Sequence, residues 1–408
     1  MKPKTTNRWL IAIAATLTHL LLGTVYAWSF FQSPISENYG WSQSETAWTF
    51  SVAILMLGIT AAWCGSNIEK FGVKKLAVIG TILYALGYII SFLALKYHSL
   101  PLLYFGFGIV GGIGLGMAYV TPVATVSGWF PDKQGLVTGM VVMGFGLGAF
   151  VMSKILAPFF LDIFSGNLQH VFLSVGIILL VAHPLLALFL ESKPNIEGKN
   201  INEKISVKDH ILSSSYIFIW LIFTFNIIAG MIFIAFQSPL LQDLLKNEGV
   251  SGSATLAEKG ATLIGVSAIF NGVGRFLWGS VSDKTGRITA FRMLLALEII
   301  LFLILIFTKN SMVFSAGVCL VLLCYGGGFG ILPALIKEKY GTKLMASMYG
   351  ITLTGWGIGG VFGPQITAVF KDYYPDNAST FSFLMGLILL IIALLLSFFV
   401  KKNPILSE

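Results

Sequence analysis

The stretch Gly65-Ser-Asn-Ile-Glu69-Lys70-Phe-Gly72 lies between two long apolar runs, and a related stretch, Gly279-Ser-Val-Ser-Asp283-Lys284-Thr-Gly286, occurs much later in the chain. In each copy a glycine is followed one helical turn later by an acid and a base, and a second glycine ends the stretch. The apolar runs on either side approach the roughly 20 residues that a helix needs to cross a hydrocarbon core of about 30 Å. The pattern therefore predicts a membrane-spanning unit that occurs twice.

The composition agrees with a membrane protein. Of 408 residues, 56% are hydrophobic and only 11% are charged, whereas soluble domains have roughly 25% charged residues. This disfavours a soluble enzyme, a secreted disulfide scaffold and a nucleic-acid-binding protein, despite the net charge of +8. The three cysteines have no metal-ligand spacing. We expect no metal, no cofactor and no nucleic-acid partner, and a lipid bilayer as the environment.

Apolar runs separated by turn and charged residues predict twelve transmembrane helices in an all-α membrane protein. Their approximate bounds are 9–33, 44–65, 75–95, 101–128, 134–158, 171–190, 213–236, 260–281, 288–308, 311–336, 344–370 and 379–400. The only long hydrophilic stretch, 191–210, is predicted to be a cytoplasmic linker. It separates an N-terminal six-helix bundle, 1–190, from a C-terminal one, 211–408.

Further repeats support two pseudo-symmetric bundles. Phe31-Gln-Ser-Pro34 occurs again as Phe236-Gln-Ser-Pro239. Two glycine series also have counterparts: Gly112, Gly114 and Gly116 with Gly326, Gly328 and Gly330, and Gly144, Gly146 and Gly148 with Gly355, Gly357 and Gly359. A parallel repeat of this kind places a substrate site near the midplane, between the halves.

The basic residues predict the orientation, because cytoplasmic connections are enriched in Lys and Arg. Nineteen of the 26 fall at the face that has both termini, and five fall at the other. We therefore expect a multi-pass protein of the cytoplasmic (inner) membrane, a monomer, with both termini in the cytoplasm. The two basic residues left inside predicted spans are Lys154 and Arg275.

The repeated stretch resembles the signature that follows the second and eighth helices of the major facilitator superfamily. The resemblance implies the major facilitator fold. It also implies a conformational gate at the cytoplasmic mouth, formed by Glu69, Lys70, Asp283, Lys284 and Arg287.

Within that superfamily, three motifs resemble the oxalate/formate antiporter family, which is related to monocarboxylate transporters. They are Gly23-Thr-Val-Tyr26-Ala-Trp28-Ser, Trp129-Phe-Pro-Asp-Lys-Gln-Gly135 and Asn271-Gly-Val-Gly-Arg275 with the following Trp278-Gly-Ser. The resemblance implies secondary transport of small carboxylates by alternating access, an anion-binding arginine on the eighth helix, and aromatic residues around the substrate. Trp356 stands where the family's oxalate carrier has a lysine, and this departure puts oxalate itself in doubt.

Arg275 is the leading binding residue on physical grounds. A charge at the centre of a span costs roughly 2.5 to 3.5 kcal/mol on insertion scales, and a guanidinium fork suits a carboxylate. Asn271 lies one turn away on the same face. Among the acids only Glu298 is deep in a span, so a structural ion pair is the weaker alternative.

Other candidates leave alternatives open. Tyr26, Tyr119 and Tyr325 could donate to a carboxylate, and Trp28 and Trp356 could form apolar walls. Lys154 is either a lysine that reaches the interface or a second anion ligand, which would permit a dicarboxylate. His19 and Glu298 could bind a proton, so proton symport and exchange against a counter-anion both remain possible.

The sequence therefore predicts a carrier for a small monocarboxylate of the formate, lactate or pyruvate class, not an enzyme. The alternatives are a dicarboxylate exchanger of the oxalate/formate type and a carrier-fold membrane sensor without net flux.

Overall fold

The computed structural model describes residues 7–130, 134–191 and 207–400, and this part of the chain contains helices and turns but no β-strand. Most of the predicted linker and part of the motif at Trp129 lie outside the described residues. The predicted all-α membrane fold is confirmed.

Twelve long helices follow one another along the chain. They are α1 Arg8–Tyr39, α2 Gln43–Phe71, α3 Val73–Lys96, α4 Leu100–Trp129, α5 Leu136–Ile163, α6 Leu168–Ala187, α7 Ser214–Asn247, α8 Ser253–Thr285, α9 Arg287–Phe307, α10 Ser311–Gly341, α11 Thr354–Tyr373 and α12 Pro375–Ser397. Several extend beyond the predicted bounds, because polar turns continue a helix past the apolar segment that hydropathy detects. α7, for example, ends at Asn247, well beyond the predicted end at 236.

Eleven of these helices are long and apolar enough to cross a membrane, and α11 is the exception among the described residues. The eleventh predicted span, 344–370, corresponds to a helical segment, 342–352, followed by α11. α11 is rich in glycine and packs along α2 and α7. Because its surroundings are mainly protein rather than lipid, it does not need a strongly apolar surface.

The repeated stretch from the sequence ends each time on a glycine with a left-handed backbone. Gly72 separates α2 from α3 with φ 80°, and Gly286 separates α8 from α9 with φ 87°. A side chain at such a φ is strained, so glycine permits the sharp connection.

The paired glycine series make equivalent contacts in α1–α6 and α7–α12. Gly144 and Gly148 of α5 face the backbone of α1, as Gly355 and Gly359 of α11 face α7. The glycine between them faces the other set of helices in both cases. A Cβ at Gly146 would lie 2.7 Å from Cα of Gly272 on α8, and one at Gly58 on α2 would lie 2.9 Å from Cα of Gly357. These two close crossings, α5 with α8 and α2 with α11, join the two sets of helices.

The two sets are also joined by hydrogen bonds at the face opposite the termini. The carboxylate of Asp372, at the end of α11, accepts hydrogen bonds of 3.0 Å from the backbone N–H groups of Gln43 and Ser44 at the start of α2. The backbone N–H of Ser238 on α7 donates to Oγ of Ser29 on α1 at 2.9 Å. The first two bonds join the end of α11 to the start of α2, and the third joins α7 to α1 nearer the middle of these helices.

Candidate functional site

Arg275 is completely buried at the crossing of α8 and α5. Its Nη1 donates to the carbonyl of Val142 at 3.1 Å, and its Nε donates to Oδ1 of Asn271 at 3.3 Å. Its guanidinium carbon lies 4.6 Å from the ring centre of Phe329 and 5.4 Å from that of Phe145. Both rings are placed to stabilise the cation. None of these partners is a carboxylate, so the charge itself is not neutralised by them.

Six buried aromatic side chains form one cluster that includes both of these rings, and we call them the aromatic cage. They are Tyr26 of α1, Tyr119 of α4, Phe145 of α5, Tyr325 and Phe329 of α10, and Trp356 of α11. Trp356 is at the centre, with its ring 4.8 Å from Phe329 and 4.9 Å from Tyr119. The hydroxyls of Tyr26 and Tyr325 are hydrogen-bonded across the two sets of helices at 2.5 Å.

Four buried donors of this site have no hydrogen-bond partner among the described residues. They are Nη2 of Arg275, the hydroxyls of Tyr119 and Tyr349, and Nε1 of Trp356. The two hydroxyls are within longer hydrogen-bonding range of each other, and that of Tyr119 is within the same range of Arg275, but none of these contacts has the distance and angle of a close hydrogen bond. A buried donor left unsatisfied costs about 1 to 3 kcal/mol, and more when it is charged. The site can therefore gain free energy by enclosing an anion with acceptor oxygens.

Local helix geometry places these side chains. α1 tightens into a 3₁₀ turn over Gly23–Ala27, which contains Tyr26. A Cβ at Gly23 would lie 2.0 Å from the carbonyl oxygen of Phe145. Only a glycine lets α1 approach α5 this closely, and that approach brings Tyr26 to 4.9 Å from the ring of Phe145.

A cavity of 180 Å³ connects Arg275 with the face that has the termini. It lies among α5, α8 and α10, and its far end is lined by Asp283 and Arg287 of the predicted gate. Arg287 forms salt bridges with Asp283 at 2.6 Å and with Glu338 of α10 at 3.4 Å. Arg275 and the second copy of the repeated stretch are therefore at opposite ends of one cavity.

The first copy of the repeated stretch is arranged differently. Lys70 lies 5.3 Å from the ring of Phe71, and among the described residues neither Glu69 nor Lys70 forms a salt bridge. The neighbouring Lys74 forms one instead, with Glu191 at 2.9 Å. Lys284, in the second copy, is exposed.

Two of the residues singled out from the sequence lie away from the aromatic cage. Trp28 is inside the N-terminal set of helices, where its Nε1 donates to Gln32 at 2.7 Å and its ring contacts Phe107. Lys154 donates to the hydroxyl of Thr262 at 2.6 Å. Thr262, the partner of Lys154, lies about 20 Å along α8 from Arg275. Lys154 and Arg275, the two basic residues inside predicted spans, therefore do not share a cavity.

The two candidates for proton binding are buried in different sets of helices, one in α1–α6 and the other in α7–α12. His19 stacks on Tyr119 with ring centres 4.7 Å apart, and its Nε2 is 2.9 Å from the carbonyl of Tyr119. Glu298 of α9 accepts a hydrogen bond from Asn226 of α7 and contacts none of the cage rings directly among the described ring contacts.

Three site residues were missed by the sequence analysis: Phe145, Phe329 and Tyr349. The two phenylalanines stand between glycines, in Gly144-Phe-Gly146 and Gly328-Phe-Gly330. When two glycines face neighbouring helices, the residue between them lies on another side of its own helix. Here that side faces the cage. That pattern was available in the sequence. No comparable pattern distinguishes Tyr349.

The chain is similar to known proteins both in sequence and in structure. The family described as Major Facilitator Superfamily matches residues 11–364. An uncharacterized MFS-type transporter, YhjX of Escherichia coli, is 27% identical over 365 residues, which cover 87% of this chain and 86% of that protein. The oxalate:formate antiporter of Oxalobacter formigenes is 25% identical and covers 97% of this chain and 91% of its own.

Two further similarities extend the range of relatives. Apicoplast pyruvate carrier 1 of Toxoplasma gondii is 23% identical, over 89% of this chain and 82% of its own. Among solved structures, an inward-facing, unoccupied bacterial homologue of the human lysosomal transporter Spinster matches with a TM-score of 0.72 and 18% identity. The match covers 98% of this chain and 97% of that one, and at this identity it shows the fold alone.

Proposed function

The chain belongs to the Major Facilitator Superfamily and is a transporter rather than an enzyme, and we propose that it carries a small monocarboxylate of the formate, lactate or pyruvate class. Transport proceeds by alternating access, driven either by proton symport or by exchange against another anion. The observation that supports this most strongly is the buried guanidinium of Arg275, whose Nη2 has no partner among the described residues.

The donors of the site match one carboxylate. Arg275 supplies the positive charge, and Tyr119 and Tyr349 supply neutral O–H donors nearby. Charge-assisted hydrogen bonds of this kind are roughly twice as strong as neutral ones. A monoanion balances the single cation of the site, whereas a dianion would leave one buried negative charge without a counterion.

The aromatic walls limit the rest of the substrate. Phe145 and Phe329 lie against the guanidinium and Trp356 packs on Phe329. Their apolar rings favour hydrogen, a methyl group or a short keto or hydroxy chain over a second carboxylate. The relative from Toxoplasma gondii is named a pyruvate carrier, which agrees with this substrate class.

The arrangement at the two faces supports alternating access. The face opposite the termini is closed by Asp372 and Ser238, while the cavity of 180 Å³ extends from Arg275 toward the terminal face. The positive-inside rule assigns that terminal face to the cytoplasm. We therefore propose an inner-membrane monomer of two six-helix bundles with the site between them, closed to the exterior.

The direct test is uptake of labelled pyruvate or formate by proteoliposomes. Removing one member of a buried, hydrogen-bonded charge pair costs about 2 to 5 kcal/mol, so Arg275→Gln should weaken apparent substrate affinity by at least about 30-fold. Lys154→Gln is the matched control, since its partner Thr262 lies outside the site, and it should transport normally. Uptake that persists in Arg275→Gln would contradict the role of this arginine.

An oxalate/formate-type exchanger is the second candidate, favoured by the antiporter from Oxalobacter formigenes that covers 97% of this chain. That reading requires a second cation in the cage. If the wild-type carrier took up oxalate and Lys154→Gln did not, Lys154 would supply that charge in another conformation.

A further inference from the structure

A second buried polar cluster lies outside the aromatic cage, within α7–α10. Glu298 of α9 is completely buried, and its Oε2 accepts a hydrogen bond of 2.8 Å from Nδ2 of Asn226 on α7. The other carboxylate oxygen, Oε1, and the amide oxygen Oδ1 of Asn226 have no hydrogen-bond partner among the described residues. Both of these atoms are acceptors, so what the cluster lacks is a donor.

No cation from the described part of neighbouring helices compensates a charge on Glu298. α12 has no titratable side chain over Ala378–Ser397, and those of α7 lie in its end turns. On α8, Arg275 turns its guanidinium away, toward Val142. α10 contributes the thiol of Cys324, which interacts electrostatically with Glu298. An isolated carboxylate at this depth is strongly disfavoured.

One proton removes both difficulties. A carboxylic acid and a carboxamide are complementary: the amide N–H donates to the acid carbonyl, and the acid O–H donates to the amide carbonyl. The first of these bonds is present between Asn226 and Glu298. A proton on Oε1 supplies the missing donor and neutralises the carboxylate.

We propose that Glu298 and Asn226 form a proton-binding site, and that its proton is the ion whose gradient drives carboxylate accumulation. The second half of this proposal rests on the proposed function. It selects proton symport over anion exchange.

The contacts between α7 and α10 connect this site to the aromatic cage. A Cβ at Gly328 would lie 2.4 Å from Oδ1 of Asn226, so the amide is in close contact with the backbone of α10. One turn further along α7, a Cβ at Gly230 would lie 2.1 Å from the ring of Tyr325. The acid–amide pair and a cage tyrosine therefore lie at consecutive contacts of the same two helices. A change in the pair that shifts α7 along α10 also shifts Tyr325.

The proton balance is simple. The proton enters from water at one face, binds the Glu298 carboxylate, and returns to water at the other face when α7 and α10 separate and expose the pair. One proton and one monoanion move together, so no net charge crosses the membrane. A gradient of one pH unit then supports about tenfold accumulation.

The protonation state is tested first, by infrared spectroscopy of the purified full-length protein. The expected result is a carbonyl stretch of a protonated carboxylic acid at neutral pH that is absent from Glu298→Gln. Exposed acids are ionised at that pH and do not contribute. A wild-type spectrum without this band, or a band that persists in Glu298→Gln, would overturn the site.

Coupling is tested second, with the same variant in proteoliposomes. A glutamine carboxamide can form the same two hydrogen bonds with Asn226 but has no proton to release. Glu298→Gln should therefore lose the roughly tenfold accumulation driven by one pH unit, while counterflow exchange of labelled pyruvate remains detectable. Glu258→Gln, which changes an exposed acid of α8, is the matched control and should accumulate substrate as the wild type does.

The outcomes separate the two proposals. Accumulation by Glu298→Gln that equals the wild type overturns the coupling, and so does an equal loss of accumulation and exchange, because that would indicate a structural role. A wild-type protein that neither takes up nor exchanges any monocarboxylate contradicts the proposed function instead, and the infrared result then decides the proton site alone.

Discussion

At the scale of single residues, the hydroxyls of Tyr119 and Tyr349 are candidates for substrate binding rather than for stabilising the fold. Neither makes a close hydrogen bond with a described residue, and the two interact with each other only at longer range, although both side chains are fully buried. By contrast, the hydroxyl of Tyr84, also buried, is hydrogen-bonded to that of Thr24 at 2.8 Å. The first two are available to a substrate, and the third is used by the fold.

Tyr119→Phe should therefore weaken carboxylate binding without lowering thermal stability. A hydrogen bond to a charged group is worth about 1.5 to 3 kcal/mol, which corresponds to a dissociation constant raised about tenfold or more. Tyr84→Phe should show the reverse, a lower melting temperature with nearly normal affinity. Isothermal titration together with differential scanning fluorimetry measures both quantities. A lower melting temperature for Tyr119→Phe would show that its hydroxyl has a structural role.

At the scale of helices, the close crossing of α5 with α8 sets how the two halves meet. A methyl group at Gly146 would lie 2.7 Å from the backbone of Gly272, whereas one at Gly139, two turns earlier on α5, has only an ordinary contact of 3.8 Å with Phe276. The two positions allow the same substitution with opposite consequences.

Gly146→Ala should destabilise the protein, because overpacking costs about 1 to 3 kcal/mol, and should slow the exchange of labelled substrate. Gly139→Ala should be neutral or stabilising by up to about 1 kcal/mol, since alanine favours a helix over glycine. Melting temperature and exchange rate in proteoliposomes give the comparison. Equal behaviour of the two variants would mean that the α5–α8 crossing does not limit the conformational change.

A contact between the end of α7 and the start of α10 depends on pH. Glu248, just after α7, accepts hydrogen bonds from the hydroxyl of Ser311 at 2.7 Å and from its backbone N–H at 2.7 Å. These two bonds favour the ionised form and lower the pKa of Glu248 below its usual value. A lowered carboxyl pKa contributes stability that is present above the unfolded-state pKa and is lost as the pH falls through the folded-state pKa.

Glu248→Gln should consequently lower the melting temperature slightly at neutral pH, and the difference from the wild type should shrink in acid. Glu258→Gln provides the comparison for removal of an exposed acid. A difference that grows toward low pH would contradict the assigned hydrogen bonds.

Much at the element scale was predictable from the sequence. Apolar segments identified the helices, and the glycines after Glu69 and Asp283 marked the two sharp connections, because only a glycine tolerates a positive φ there. Helix ends were predicted too short where polar turns continue the helix. α11 was predicted as a span although its glycine-rich composition is marginal for one, since Lys343 and Lys371 bounded it.

The site was predictable in part. Arg275 stood out because a charge inside an apolar segment is costly, and that property depends on sequence alone. Trp28, however, occupies a similar segment of α1 to Tyr26 and yet packs inside its own half. The direction of each side chain depends on the 3₁₀ turn at Gly23–Ala27, which hydropathy and spacing do not encode. Likewise, the sequence does not say whether Lys154 and Arg275 face one cavity, because that depends on the register of α5 against α8.

At the scale of the whole molecule, hydrogen bonds join the two sets of helices at the aromatic cage and toward the face opposite the termini. Asp372 joins the end of α11 to the start of α2, Ser238 joins α7 to α1, and the cavity below Arg275 extends the other way. Under the proposed alternating access, the two glycine crossings would let the two sets of helices rock against each other, because smooth backbones slide more easily than interlocked side chains. The closed cage would then open alternately to each face.

The most direct measurement is the thermal stability of the purified protein with formate, lactate, pyruvate and oxalate, in the wild type and in Arg275→Gln. A ligand at 100 times its dissociation constant stabilises the native state by about 2.7 kcal/mol, a shift that fluorimetry resolves. Stabilisation of the wild type by at least one monocarboxylate, none by oxalate, and none of Arg275→Gln by any of the four is the expected result. Stabilisation by oxalate alone, or equal stabilisation of Arg275→Gln, would contradict a monocarboxylate site built around this arginine.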